Sequence, residues 1–360
     1  MNMPKRITLK EVAARASVSY QTVSKVISQK VHVSEATEQR IWDAVRELNY
    51  TPSYTARSLR SHRSMTIGYS WRPSPPDQTN PILDEFLQSM FRAAENHGYY
   101  LLCFPYHDEL QKQLAIYREL INTGRVDAFV ISTLNYNEPC VSYLVEHKFP
   151  FVGFGHLDDP DSFPYIDVDG ALGLQMAVEH LLDLGHRRIA ALAWPSDSRV
   201  GNNRMDGYFL ALDKAGIKAR PEWVERGEGT FDVGFTSTLK LLAIADGLRP
   251  TAIVAMNDLM AFGAMTAIQQ SGLRPGKDIG VIGFDDSPTA RYMDPPLTSI
   301  RQPISTIGKN LMERLIGYLD TGTYPDPRCE LVAPELVIRE STIGKKTSQP
   351  IHGKEDADRR

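Results

Sequence analysis

Residues Thr8 to Ile27 constrain this chain more tightly than any other stretch. Thr8-Leu9-Lys10-Glu11 is a Thr-x-x-Glu capping box, which satisfies two orphan backbone donors at a helix start. Leu9, Val12, Ala13 and Ala16 then fall on one helical face. Ser17-Val18-Ser19 interrupts the run, and Ser19 is a good cap for a second helix. There Val23, Val26 and Ile27 make an i, i+3, i+4 inner face, so Tyr20, Gln21, Ser24 and Lys25 point outward. Val33-Ser34 opens a third helix with Ile41, Ala44, Val45 and Leu48 inside, and Pro52 stops it. Two short helices joined by a tight turn, the second with a hydrogen-bonding outer face, is the plan of a helix-turn-helix. Gln can pair bidentately with an adenine edge, and Lys can reach guanine or a phosphate.

Charge separates this head from the rest. Residues 1–64 carry 11 Lys+Arg against 5 Asp+Glu, a net of +6, whereas the 360-residue chain is −4 and the remainder therefore −10. A basic head on an acidic body suits a phosphate-binding module joined to something that does not bind nucleic acid.

Three segments resemble the lactose-repressor/galactose-repressor (LacI/GalR) family of bacterial transcription regulators. They are Thr8-Leu9-Lys10-Glu11-Val12-Ala13, Val18-Ser19-Tyr20-Gln21-Thr22-Val23-Ser24 and Leu48-Asn49-Tyr50-Thr51-Pro52. The likeness continues to about Ile343. It implies DNA contacts from Thr8, Ser19, Tyr20, Gln21, Thr22, Ser24, Lys25, His32, Asn49 and Tyr50. It also implies a hinge segment over 53–64, where Ala56 and Leu59 would meet the minor groove. That segment holds Arg57, Arg60, His62 and Arg63 but only one large aliphatic residue, Leu59. Alone it buries too little to stay ordered; as a wedge held by basic neighbours it could kink a duplex.

From Met65 short apolar runs alternate with helical ones. Strands are expected near Met65–Ser70, Gly98–Phe104, Asp127–Ser132, Phe151–Phe154, Arg188–Ala193, Ala252–Met256 and Ile279–Phe284. Ile82, Leu83, Phe86, Leu87, Met90, Phe91 and Ala94 mark one helix face between the first two, and Leu174, Val178, Leu181 and Leu182 mark another. Such alternation means parallel sheets wrapped by helices. About 280 residues of it exceeds one small sheet, so two lobes are expected. The resemblance sharpens this into an α/β body of two Rossmann-like lobes on the type I periplasmic-binding-protein plan. The expected division is a head over 1–52, a hinge over 53–64 and a body over 65–343. Lobe 1 takes about 65–167 and 302–324, and lobe 2 about 168–300 and 325–343. Crossings then fall near Asp167, Arg301 and Tyr324.

Residues 344–360 are polar and without periodicity, so a disordered tail is expected. The absence of Leu heptads there favours a homodimer over a coiled-coil tetramer. No apolar run approaches a membrane span, and no signal peptide opens the chain. Cys103, Cys140 and Cys329 lack metal-ligand spacing, and Cys103 sits in the apolar run Tyr99–Phe104, which suggests a buried, reduced thiol. A cytoplasmic protein without metal or cofactor follows.

The rival class is an enzyme. GxSxG, HExxH, GxGxxG after a strand and a P-loop are all missing. His180 and His186 stand six apart, off a shared face, and Asp158, Asp159 and Asp161 occupy a Pro-bounded loop. The resemblance instead implies an effector between the lobes, held by Arg204, Asp285, Asn257, Gln302, Phe231 and Ser132. Trp71 and Arg72, just past the first body strand, could add an aromatic wall and a charge. Arg204-Met205-Asp206-Gly207-Tyr208 fits the family's Arg-x-x-Gly-aromatic pattern. The structural alternatives are Asn257 or Asp258 as a helix cap, Asp286 as a turn residue and Arg204 as the partner of a surface carboxylate. Many sugar-binding members carry an Asp where this chain has Gly155-His156. The expectation is a repressor of carbohydrate-use genes that binds palindromic double-stranded operator DNA and answers to a sugar. The alternatives are a purine or nucleoside effector, or a non-regulatory small-molecule-binding protein with a basic docking head.

Overall fold

The computed structural model describes residues 7–27, 32–50, 63–72, 80–132, 134–136, 138–157, 159 and 162–343. Expectations for Ala56, Leu59, most of the hinge and the tail lie outside the described residues. The chain divides into two compact units at Met65/Thr66.

The first unit holds α1 (Leu9–Ala16), α2 (Tyr20–Ile27) and α3 (Glu35–Glu47). The capping box at Thr8 forms in both directions: Thr8 accepts from the Glu11 N–H, and Glu11 accepts from the Thr8 N–H at 2.7 Å. Ser19 Oγ accepts the Thr22 N–H at 3.1 Å and so starts α2. Val12, Ala13, Ala16, Val23, Val26, Ile41 and Ala44 form the core, as their spacing predicts, joined by Tyr50.

The second unit runs β1 (Thr66–Trp71), α4 (Pro81–Asn96), β2 (Tyr100–Pro105), α5 (Leu110–Asn122), β3 (Ala128–Ile131), α6 (Pro139–Glu146), β4 (Phe151–Phe154) and β5 (Tyr165–Val168). It continues through α7 (Gly170–Asp183), β6 (Ile189–Ala193), α8 (Arg199–Lys214), β7 (Val224–Arg226), α9 (Phe231–Leu242), β8 (Ala252–Ala255), α10 (Asp258–Gln270) and β9 (Gly280–Asp285). Last come β10 (Thr298–Arg301), α11 (Ile304–Thr321), β11 (Cys329–Val332), β12 (Glu335–Val337) and α12 (Glu340–Ile343).

One sheet has the order β2-β1-β3-β4-β5-β11, all parallel, and the other β7-β6-β8-β9-β10-β12, parallel except for the last pair. Within each lobe this is the doubly wound 2-1-3-4-5 order, whose ligands bind beyond the carboxyl ends of the strands. Central strands such as Ala252–Ala255 are buried throughout, as parallel strands covered on both faces must be. The Gly of the Arg-x-x-Gly-aromatic pattern has a packing reason. A Cβ on Gly207 would stand 1.9 Å from the Ala171 carbonyl oxygen, so only glycine lets α8 approach α7 this closely.

The chain passes between sheets after Val168, after Arg301 and after Val332. The third crossing corrects the expectation near Tyr324. β11 pairs in parallel with β5, Cys329 opposite Tyr165 and Val332 opposite Val168, so residues 329–332 belong to the first lobe. The strand is four residues long, only partly buried, and carries no alternation that could announce it. Cys103 also departs from expectation. β2 is an edge strand, and its thiol lies exposed while Cys140 is buried. Among the described residues no helix is long and apolar enough to cross a membrane, and no cluster of His, Cys, Asp and Glu could hold a metal.

Candidate functional site

The outer face of α2 is built by subtraction. Once Val23 and Val26 are buried, Gln21 and Lys25 are left exposed and Tyr20 is half exposed, at 50%. Thr22 and Ser24 are half-buried beside them, and Thr22 Oγ1 shares a 2.8 Å hydrogen bond with Ser19 Oγ. Thr8, His32 and Asn49 are exposed; Asn49 takes a left-handed φ of 46°, which asparagine tolerates better than most residues. Tyr50 is a correction. It is 7% exposed and packs into the head's core, because the turn at Asn49 swings it back under α3. Its ring therefore supports the head.

The second site is a cavity of about 260 Å³ between the two lobes. Five of the expected effector residues line it: Ser132, Arg204, Asn257, Asp285 and Gln302. All except Arg204 sit at or just past a strand's carboxyl end, after β3, β8, β9 and β10, which is where this topology places a ligand. Arg204 enters from α8. Its guanidinium lies 3.6 Å from the ring centroid of Phe284 and 4.8 Å from that of Trp194 and donates to the Met256 carbonyl. Burial works against its charge, and the nearby carboxyls of Asp285, Asp167 and Asp258 work for it. Planar stacking on aromatic faces is a role arginine fills and lysine does not.

Asp285 ends β9 with φ 123° and accepts the Gln302 amide at 2.7 Å. Burial pushes its carboxyl up, to about 8, against the pull of Arg204 and Gln302 and with a push from Asp258. Asp258 is buried below and also raised, mainly by burial; it accepts the Ser287 N–H at 2.6 Å and the Ser299 hydroxyl at 2.5 Å. A Cβ on Gly283 would stand 2.2 Å from that carboxylate, so the glycine in Gly283-Phe284-Asp285 makes room for it. Asn257 caps α10 through the Met260 N–H at 2.9 Å and donates to the Gly229 carbonyl at 2.8 Å. Its amide holds the wall in place. Asp286, also left-handed at φ 50°, does more than hold a turn: its carboxylate pairs with Arg301 at 2.7 Å and Arg339 at 2.6 Å. Two consecutive aspartates thus join the cavity to the second crossing, and Asp286 also reaches Arg339 beyond the third.

Three expected contacts are not in the lining. Trp71 is 36% exposed at the end of β1. Arg72 beyond it pairs with Asp108 and stacks over Tyr106 at 4.3 Å. Phe231 opens α9 and stacks on Phe235, with centroids 6.5 Å apart. In their place stand residues the sequence reading passed over. His156 follows β4, and its Nδ1 lies 2.7 Å from Asp167 Oδ2. A carboxylate accepts, so Nδ1 is the donor in this contact, and Nε2 is not used by it. Trp194 follows β6, Arg199 and Asn203 come from α8, and Asn80 caps α4. The available signal was position. Residues immediately past the expected strands Phe151–Phe154 and Arg188–Ala193 had to face the cleft. Opposite walls also touch: Asn135 Oδ1 accepts the Arg199 N–H at 3.1 Å, and the Asn202 amide donates to the Tyr136 hydroxyl at 3.2 Å.

Fold and site define a ligand-cleft protein of the periplasmic-binding type that carries a helix-turn-helix head. The profile described as "Bacterial regulatory proteins, lacI family" matches residues 8–53, and that described as "Periplasmic binding protein-like domain" matches 178–342. The HTH-type transcriptional repressor PurR of Aliivibrio fischeri (strain MJ11) is 34% identical over 341 residues, covering 94% of this chain and 99% of its own. PurR of Escherichia coli O139:H28 is 32% identical over 336 residues, covering 93% of this chain and 96% of its own. A solved LacI-family regulator from Chloroflexus aggregans is 48% identical with a TM-score of 0.73, covering 77% of this chain and 98% of that one. The lac repressor dimer bound to operator and the anti-inducer ONPF is 30% identical with a TM-score of 0.82, covering 94% and 100%. The CelR–cellobiose complex is 29% identical with a TM-score of 0.70, covering 93% and 100%. The chain belongs to the LacI family of bacterial regulatory proteins: it is a DNA-binding transcriptional repressor with a ligand-binding body.

Proposed function

We propose that the chain is a dimeric repressor whose operator affinity is set by a small, neutral, polar ring compound bound between the lobes. The Arg204–Asp285 pair on the lobe 2 wall carries this reading, facing the His156–Asp167 pair on the lobe 1 wall. A guanidinium donates, a carboxyl can accept, and an imidazole stands on the far side, which together suit a ring with adjacent donors and acceptors. The cavity is slightly smaller than the ~300 Å³ at which drug-sized ligand sites begin. Ligand binding changes the angle between lobes, and the coupling to DNA is on the order of 1–3 kcal/mol. The outer face of α2, with Gln21 and Lys25, reads the operator; a palindrome mirrors the dimer. The work of such a repressor is done in the cytoplasm, where its operator is.

Two effector chemistries fit, each favoured by its own observation. The two PurR relatives, which match nearly the whole chain at 34% and 32% identity, carry a name that points to a purine. The lining favours a polyol. Among the described lining residues, Trp194 has a face on Arg204 and Phe154 a face on Phe86 at 4.7 Å, which reduces the aromatic surface offered to a flat base. Calorimetry of the full chain with sugars and with nucleobases, paired with operator binding, tests both. A ligand that binds wild type, loses affinity in Asp285→Asn and shifts operator affinity supports the reading. A ligand that binds both variants alike, with no effect on DNA, refutes it.

A further inference from the structure

Beside the cavity described above lies a second compartment of about 110 Å³. The two share Asn80, Asn257 and Asp285 in their walls, so they adjoin at that carboxyl. The second has its own lining. Pro81, Leu259 and Phe262 give it apolar surface, and Ser287 and Thr289, just past β9, give it hydroxyls. The Ser287 hydroxyl is buried and makes no hydrogen bond of normal geometry, the neighbouring Asp258 carboxylate being taken by the Ser287 N–H and the Ser299 hydroxyl. Thr289 is exposed at the rim.

Size and chemistry point the same way. Neither compartment alone reaches the ~300 Å³ of an ordinary ligand site, but the two together pass it. A lining that combines apolar surface with hydroxyls fits a sugar ring, which has a C–H face and a hydroxyl edge. Among the described residues that line this compartment there is no Lys, Arg or His to meet a phosphate.

We propose that the effector is a neutral two-ring glycoside. One ring sits against Arg204 and Asp285, and the second, a hydroxylated sugar ring, enters the compartment walled by Ser287 and Thr289. This rests on reading the cleft as the effector site. A disaccharide and a nucleoside both supply that chemistry, and the test separates them.

Calorimetry on the full-length protein uses matched probes: glucose against cellobiose and maltose, galactose against lactose, adenine against adenosine and adenosine monophosphate. In one series the two-ring member is expected to bind at least about tenfold more tightly than its one-ring counterpart. If that series is the nucleoside one, the monophosphate binds more weakly than adenosine. Thr289→Trp fills the compartment from its exposed rim, with folding checked by thermal unfolding. It should bring the two-ring ligand down to the affinity of the one-ring ligand and leave the latter unchanged. Equal affinity of both members overturns the extension and leaves the effector reading standing. Binding of no probe overturns both, and so does binding of the probes with the same affinity to wild type and to Asp285→Asn. A Thr289→Trp protein that keeps the full two-ring advantage overturns the placement of the second ring.

Discussion

In the DNA-reading head, Gln21 and Lys25 stand in solvent on a helix held from behind by Val23 and Val26. In the cleft, Arg204 and Asp258 are 6% and 2% exposed, and Arg204 is stacked between two rings and bonded to the backbone. On the proposed reading, Gln21 and Lys25 stand apart from the groups that fold the head, whereas the cleft side chains serve both ligand and fold. A surface side chain can therefore be removed from the head at a cost to function alone, whereas a cleft residue carries part of the lobe's stability with it.

The largest test of that contrast is Arg204→Ala. It removes a buried cation beside Asp285 and Asp258, and breaking a buried charge cluster costs about 3–5 kcal/mol. Denaturant unfolding should show the loss of stability, and calorimetry the loss of effector affinity. An unfolding midpoint at the wild-type value would show that the cleft tolerates surgery as the head does.

Gln21→Ala comes next. It should cost about 1–3 kcal/mol on the best operator and relax preference at one base pair per half-site. Thermal unfolding should stay at wild type, since no core contact is lost. Unchanged base preference in a binding-site selection would remove Gln21 from the reading face.

The pH response of Asp285 is smaller per unit. Burial raises its folded carboxyl from 3.8 to about 8. The folded state keeps a proton that the unfolded chain gives up near 4, so this group's contribution to stability falls as pH rises from about 4 towards 8. A ligand hydroxyl donating to the carboxylate has the opposite trend. Its affinity rises over the upper part of that window, by at most about 1.4 kcal/mol per pH unit. Asp285→Asn should flatten the profile; a flat wild-type profile would mean that the ligand does not read the ionised carboxylate.

Ser19→Ala is the smallest. It removes the cap of α2 and should lower the head's stability by about 1 kcal/mol. A null effect on stability together with a large loss of operator affinity would make Ser19 a DNA contact first and a cap second.

The head was almost wholly legible in the sequence because every signal in it is local. The capping box spans four residues, and the core face repeats within one helix. Tyr50 failed because its burial depends on the left-handed turn at Asn49, which no periodicity announces. The body's central strands were legible as apolar runs, while β5, β7, β10, β11 and β12 were too short or too mixed to stand out. In the cleft, Arg204 and Asp285, expected from a resemblance, line the cavity, while Trp71, Arg72 and Phe231, expected with them, lie outside its lining. His156 and Asp167 were missed as a pair because their contact is a matter of register between β4 and β5. Each was visible in the chain, one as an oddity and one as a crossing, and only the sheet brings them together.

The interleaving of the two lobes bears on how the protein is made. β11 completes one sheet, and β12 with α12 completes the other, the latter through Ser341, which bonds Val281 at 2.6 Å and Thr298 at 2.8 Å. All of this lies within residues 329–343, so neither lobe can finish while that stretch is still inside the ribosome. The head is contiguous and emerges first. At roughly 5–20 residues per second, it waits on the order of tens of seconds before either sheet can be closed. During that interval a nascent chain has a complete DNA-reading head and two sheets with open edges. Chains released before Cys329 would keep those edges, which are templates for aggregation.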